Sequence, residues 1–114
     1  MVFFKVSDFD CQDCGKNNMD EMFLQMIDVA RNMSGIPFIV NSGYRCIKHN
    51  KEIRGKLTSS HLKGLAADIK CSDSSNRMKI IQACISAGFR RIGVGKGFVH
   101  VDIDKSKNDA IWVY

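Results

Sequence analysis

"SSHLKGLAADIKC", residues 59–71, is the stretch on which the reading of this chain turns. "GLAADIKC" reads as a strand whose small early side chains permit tight packing. Asp68 falls inside it, and a carboxylate in an apolar strand is costly to bury unless something positive pairs with it. His61 stands just before the strand, with glycine and alanines between it and Asp68. Two readings stay open at this point. The pair is part of a metal site, or His61 is a surface residue and Asp68 is paired with a cation such as Arg45.

Working outward, "NNMDEMFLQMIDVARNMSG" reads as a helix. Asn18 is the expected N-cap, and Glu21 three residues on completes a capping-box pattern. Met22, Phe23, Met26, Ile27 and Ala30 fall at helical spacing and form the expected core stripe, while Gly35 and Pro37 stop the helix. "PFIVNSGYR" predicts a short buried strand over 37–41 that runs into a Ser-Gly turn. The polar run "CIKHNKEIRGKLTS" holds a short helix and then a loop. "SSNRMKIIQACISAG" predicts a helix over 74–87 closed by Gly88 in a left-handed cap. "RRIGVG", "GFVHVDID" and "AIWVY" read as three closing strands. This order predicts an α+β domain over 1–114, with a small, mostly antiparallel sheet and helices packed on it.

The 114 residues, 45% hydrophobic and 25% charged with one proline, describe one globular domain, neither disordered nor large enough for two cores. No apolar run is long enough to span a bilayer. "MVFFKVSDFD" lacks an apolar segment with a small-residue cleavage site, so a Sec signal is not expected and synthesis in the cytoplasm is. A net charge of +5 and a pI near 9.1 favour a polyanionic partner, either nucleic acid or an anionic cell-wall polymer. The basic residues are scattered beyond the pair at 90–91, and no nucleic-acid motif is present, so nucleic acid is the weaker reading. The five cysteines, at 11, 14, 46, 71 and 84, cannot all pair, and reduced thiols are expected. Cys84 lies on the apolar side of a helix and reads as a small core residue.

His100, in "GFVHVDID", is the third fixed point. Between Val99 and Val101 it is either a core histidine or a ligand. Two imidazoles and a carboxylate suit a catalytic zinc with its fourth position open to water. Cys11 and Cys14 form a C-x-x-C that has room for structural zinc with Cys46 or another ligand, for a local disulfide, or for thiols; no second C-x-x-C completes a ribbon. His49 reads as a surface polar residue. Trp112 and Tyr114 read as packing at the end of the sheet, or as exposed aromatics suited to stacking on sugar rings.

Taken in order, "NSGYRC…HN", "SSHLKGLAADI" and "GFVHVDI" resemble the D-alanyl-D-alanine carboxypeptidase family of zinc peptidases. That family includes phage L-alanyl-D-glutamate endolysins and shares its fold with the hedgehog signalling domain. The opening "FFKVSDFDCQDCG" and closing "AIWVY" extend the resemblance over nearly the whole chain, closest to short bacterial and phage members. It implies a hedgehog/D-Ala-D-Ala peptidase-like fold and Zn2+ held by His61, Asp68 and His100. It also implies that Arg45 contacts substrate and stabilises the oxyanion, a role suited to its fixed charge and forked donors. Ser60 is a candidate hydrogen-bond partner for substrate, or else a loop cap.

One position departs from the family. Many members carry Glu or Asp as general base three residues before the last histidine, where this chain has Gly97. Asp102, two residues beyond His100 on the same strand face, is the nearest replacement as base or proton shuttle. The alternative is that it orients a histidine. The resemblance therefore implies a monomeric peptidase acting on the peptidoglycan stem peptide, compatible with phage-type release to the wall. The alternative is a catalytically inactive zinc-containing module that binds wall peptide or a protein partner.

Overall fold

The structure, a computed structural model, describes residues 1–114. Two long helices, α1 (Glu21–Ser34) and α3 (Ser74–Ser86), pack together over one face of a five-stranded sheet. Its strands are β1 (Val40–Ser42), β2 (Ala66–Lys70), β3 (Arg91–Val94), β4 (Phe98–Asp102) and β5 (Ala110–Val113). They lie in the order β1-β2-β4-β3-β5, antiparallel except for the β3–β5 pair. A short helix α2 (Ile47–Glu52) follows β1, and a 3-10 turn, Ser60–Lys63, precedes β2. The α+β expectation with a mostly antiparallel sheet holds. No helix is long and apolar enough to cross a membrane.

Period-2 alternation makes β2 and β4 two-sided. Ala67, Ile69, Val99 and Val101 face the helices and join Phe23, Leu24, Ile27, Ala30, Ile80, Ala83 and Cys84 in one buried cluster. The thiol of Cys84 sits in that apolar layer, where burial pushes it up to about 12. The other face of the same strands carries Asp68, His100 and Asp102, with Asp68 directly opposite His100 in the register.

Three sequence expectations shift. The N-cap of α1 is Asp20, whose carboxylate accepts from the Phe23 N–H at 3.0 Å, and not Asn18. Residues 17–20 stay extended because the Asp20 N–H donates to the Gly64 carbonyl, tying this segment to the turn before β2. Gly64 has φ 71, and a Cβ there would lie 1.9 Å from the Asn18 carbonyl oxygen, so only glycine fits. Along α1, Met22 points to solvent and Leu24 takes its place in the core. The first strand is Val40–Ser42 and not 37–41: Pro37 has no N–H to give, Ile39 is exposed, and the β1–β2 pairing is irregular at this edge.

Candidate metal centre

The 3-10 turn that begins at Ser60 presents His61, and the N-cap Ser59 accepts from the His61 N–H. The register of β2 against β4 brings Asp68 and His100 side by side. The structure thus assembles all three residues expected to hold metal. Asp68 Oδ1 lies 3.3 Å from His61 Nε2 and 3.0 Å from His100 Nδ1, and the three potential ligand atoms fall within 4.8 Å of one another. A tetrahedral ion with bonds of about 2.1 Å needs donor atoms about 3.4 Å apart, so these spacings suit one.

The far side of each ring sharpens the case. His61 Nδ1 lies 2.8 Å from the Gly43 carbonyl, which only accepts, so that nitrogen carries the proton. His100 Nε2 lies 2.7 Å from Asp102 Oδ2, the shorter of the ring's two carboxylate contacts. With those protons engaged, the inward nitrogens present lone pairs to a carboxylate that is also an acceptor. Acceptors facing each other repel unless a cation sits among them or each ring takes a second proton. The electrostatics follow the same demand. Burial would lower the His100 pKa, but Asp102 and Asp68 outweigh it and raise it. Burial pushes Asp68 up, yet the imidazoles of His100 and His61 hold its carboxyl well below the usual range. The donor set therefore fits a divalent ion such as zinc, with both rings oriented by partners behind them.

Asp102 lines the cleft behind the His100 ring. It is buried, and Oδ1 accepts from Arg91 Nε at 2.8 Å and from the Asp104 N–H at 3.0 Å, while Oδ2 takes the His100 contact. Both oxygens are engaged, on the side of the imidazole away from the inward-facing donors. Its geometry matches the orienting alternative.

Arg45 Nη2 lies 3.6 Å from Asp68 Oδ2, so the cation pairing considered for Asp68 is present beside the histidines. The guanidinium is steadied by Ser42 Oγ and Asn50 Oδ1, each at 3.3 Å. The Ser60 hydroxyl, at the edge of the cleft, donates to Asp104 Oδ2 at 2.8 Å and accepts from Lys107 Nζ at 2.9 Å, which ties the turn to the segment after β4. Gly97 lies in the turn before β4, where a Cβ would meet nothing within 4 Å. His49 lies outside the cleft, near Glu52.

The centre forms the floor of a cleft of about 550 Å³. Arg45, Arg54, Lys56, Arg91 and Lys107 line it, against only two carboxylates, Asp68 and Asp102. Trp112 and Tyr114 form one wall, their rings 5.4 and 6.5 Å from that of His100. Gly93 makes room for them, since a Cβ there would lie 2.6 Å from Tyr114 and 2.7 Å from Trp112.

Sequence reasoning missed three supports. Arg91, read as half of a surface basic pair, is mostly buried, bonded to Asp102 and stacked on Trp112. Asn50 is buried and holds Arg45. Asp104 is buried and gathers Ser60, Lys63 and Ser106 around the turn that bears His61. The signal for Arg91 was available: in a hairpin of "RRIGVG" with "GFVHVDID", residue 91 falls opposite 102.

The sequence profile of the family described as Peptidase M15 matches residues 3–103. No curated relative matches significantly. The match spans Arg45, His61, Asp68, His100 and Asp102 and the strands from β1 to β4, and it ends before Asp104, Lys107, Trp112 and Tyr114.

Proposed function

The chain belongs to the M15 peptidase family, and from that premise we propose that it is a zinc-dependent peptidase of bacterial peptidoglycan. It would hydrolyse peptide bonds of the stem or cross-link, as a D,D-carboxypeptidase or an endolysin-type endopeptidase. The observation that carries this reading is the convergence of His61 Nε2, Asp68 Oδ1 and His100 Nδ1, three potential ligand atoms within 4.8 Å of one another, on the floor of a basic cleft.

Zinc held there would polarise the scissile carbonyl and bring the pKa of a bound water down toward about 7. The rest falls to the chain itself. The Gly43 carbonyl and Asp102 fix the tautomers of His61 and His100, which keeps the inward nitrogens free to ligate. Arg45, steadied by Ser42 and Asn50, offers a fixed positive charge beside Asp68 for a substrate carboxylate or a developing oxyanion. Ser60, Asp104 and Lys107 hold the turn that carries His61. Five cations along the cleft favour a peptide rich in carboxylates, as stem peptides are. Trp112 and Tyr114 supply an aromatic wall for the apolar parts of the substrate, or for a sugar ring.

One observation favours a second reading, a zinc-containing module that binds wall peptide or a protein without cutting it. Both carboxylates lining the cleft are engaged, and position 97 offers none, so no carboxylate stands unoccupied to take the proton of water. Purified muropeptides incubated with the zinc-loaded protein separate the two, with products read by mass. Cleavage abolished by a chelator and restored by zinc supports the peptidase. Saturable binding without a cleaved amide supports the module, and neither binding nor cleavage removes both.

A further inference from the structure

Away from the cleft, three of the five cysteines meet at one point. The chain turns tightly through Cys11–Gln12–Asp13–Cys14, the Gly15 N–H donating to the Cys11 carbonyl at 2.9 Å and Gly15 adopting φ 70. Across from this turn, Cys46 caps α2. The sulfurs of Cys11, Cys14 and Cys46 lie within 4.8 Å of one another, and those of Cys11 and Cys46 are 3.6 Å apart with no disulfide between them. Sulfur ligands of a tetrahedral zinc, at about 2.3 Å from the ion, stand about 3.8 Å from each other.

Backbone donors already point at this sulfur cluster. The Cys46 N–H donates to Cys11 Sγ at 3.5 Å, and the His49 N–H to Cys46 Sγ at 3.4 Å. The thiolate is the form that ligates metal. His49 lies three residues after Cys46, within one turn of α2, and its only ionic contact is a loose 4.0 Å approach to Glu52. Cys11-x-x-Cys14 and Cys46-x-x-His49 have the sequence spacing of two half-sites of a Cys3His centre, and the His49 ring, which stands outside the sulfur cluster beside Glu52, would have to turn toward it to ligate.

We propose that Cys11, Cys14 and Cys46, closed by His49 as fourth donor, form a second, structural metal site for a thiophilic divalent ion of the zinc class. Thiolates select zinc over magnesium or calcium. A Cys11–Cys46 disulfide, the competing fate, strands Cys14 and leaves His49 without a role. The site has a structural consequence at the cleft. It clamps the N-terminal segment to the loop after β1, where the Tyr44 N–H donates to the Phe9 carbonyl at 2.9 Å. That loop supplies the Gly43 carbonyl behind His61 and the guanidinium of Arg45.

Cobalt(II), added to the reduced full-length chain, is the probe. The cleft centre has no sulfur, so a thiolate-to-cobalt charge-transfer band in the near ultraviolet reports the cysteine site alone, whatever the fate of the peptidase reading. The band is expected in the wild type and in His100→Ala, and is expected to vanish in the Cys14→Ser, Cys46→Ser double variant. Zinc should displace the cobalt and protect Cys14 from alkylation. His49→Ala should retain the band but bind zinc about tenfold or more weakly, as loss of a supporting group at a metal site does. Absence of the band in the wild type overturns the site, whether or not the serine variant folds. So does a chain purified under reducing conditions two hydrogens lighter, with Cys11 linked to Cys46. Unchanged zinc affinity in His49→Ala removes His49 from it.

Discussion

β2 and β4 have two faces built by opposite physics from alternate residues of the same ten. On one, Ala67, Ile69, Val99 and Val101 pass under α1 and α3 into a dry layer of carbon. On the other, Asp68, His100 and Asp102 form the mostly buried, polar floor of the cleft, each joined to partners from other elements. The first face supplies the hydrophobic driving force for folding. The second is costly to bury without its network, because every group in it must find a partner or a proton. A one-residue slip in register would exchange the two faces, so the apolar layer fixes the position of the ionic one. The lesson is a division of labour: changes on the helix side should alter stability and leave the metal chemistry intact, and changes at the metal-binding side chains should do the reverse.

The sharpest way to break that division is His100→Ala. It should abolish metal binding at the cleft and reduce muropeptide cleavage to that of a chelated control, while the far-ultraviolet circular dichroism stays native. Metal content and cleavage, measured on the same preparation, check it. Next comes Ile69→Ala on the opposite face, expected to cost about 2–5 kcal/mol of stability and to leave the zinc affinity of the folded fraction unchanged. Denaturant titration with and without zinc reads both quantities; a large fall in intrinsic affinity would show that the faces are not separable.

Asp102 offers a finer test. Asp102→Ala should weaken zinc about 10–100-fold by releasing the His100 ring. Asp102→Asn retains an acceptor for His100 Nε2 and should recover most of that affinity, with activity at saturating zinc following it. A general base would behave differently, since its asparagine variant would lose about 10²–10⁴ in kcat with metal still bound. The smallest effect concerns acid. Burial pushes Asp104 up, but hydrogen bonds from Ser106, Ser60 and Lys63 outweigh it and hold its pKa below the ordinary 3.8. Its folded pKa is thus the lower one, so its contribution is complete above pH 3.8 and is lost as pH falls below it. Asp104→Asn should cost about 1–3 kcal/mol near neutrality and flatten the acid limb of the stability profile, as seen by thermal melts across pH.

Much of this was legible in the residues. The runs "GLAADIKC" and "GFVHVDID" read as strands holding Asp68 and His100, alternation put Asp102 on the face of His100, and His61 fell just before the first strand, because such patterns survive in a single sequence. What escaped was pairing across distance. Arg91 acquires its role from β3–β4 register, Asn50 from the fold-back of the loop after β1, and Asp104 from lysines and a serine far along the chain. Asn18 resembled a cap because its sequence context is right; the hydrogen bond between residues 20 and 64 that keeps its segment extended is tertiary. Local pattern left the metal reading open and the family resemblance named the ligands, while the network that aims them is non-local.

The central claim is that the cleft face holds a metal through the inward nitrogens of two oppositely anchored histidines. Anomalous diffraction at the zinc absorption edge, from crystals of the zinc-loaded protein, tests it most directly. A peak is expected about 2.0–2.2 Å from His61 Nε2, the Asp68 carboxylate and His100 Nδ1, with Asp102 behind the ring and unligated. An empty cleft in such crystals, or a metal bound through His100 Nε2 and Asp102, would contradict it.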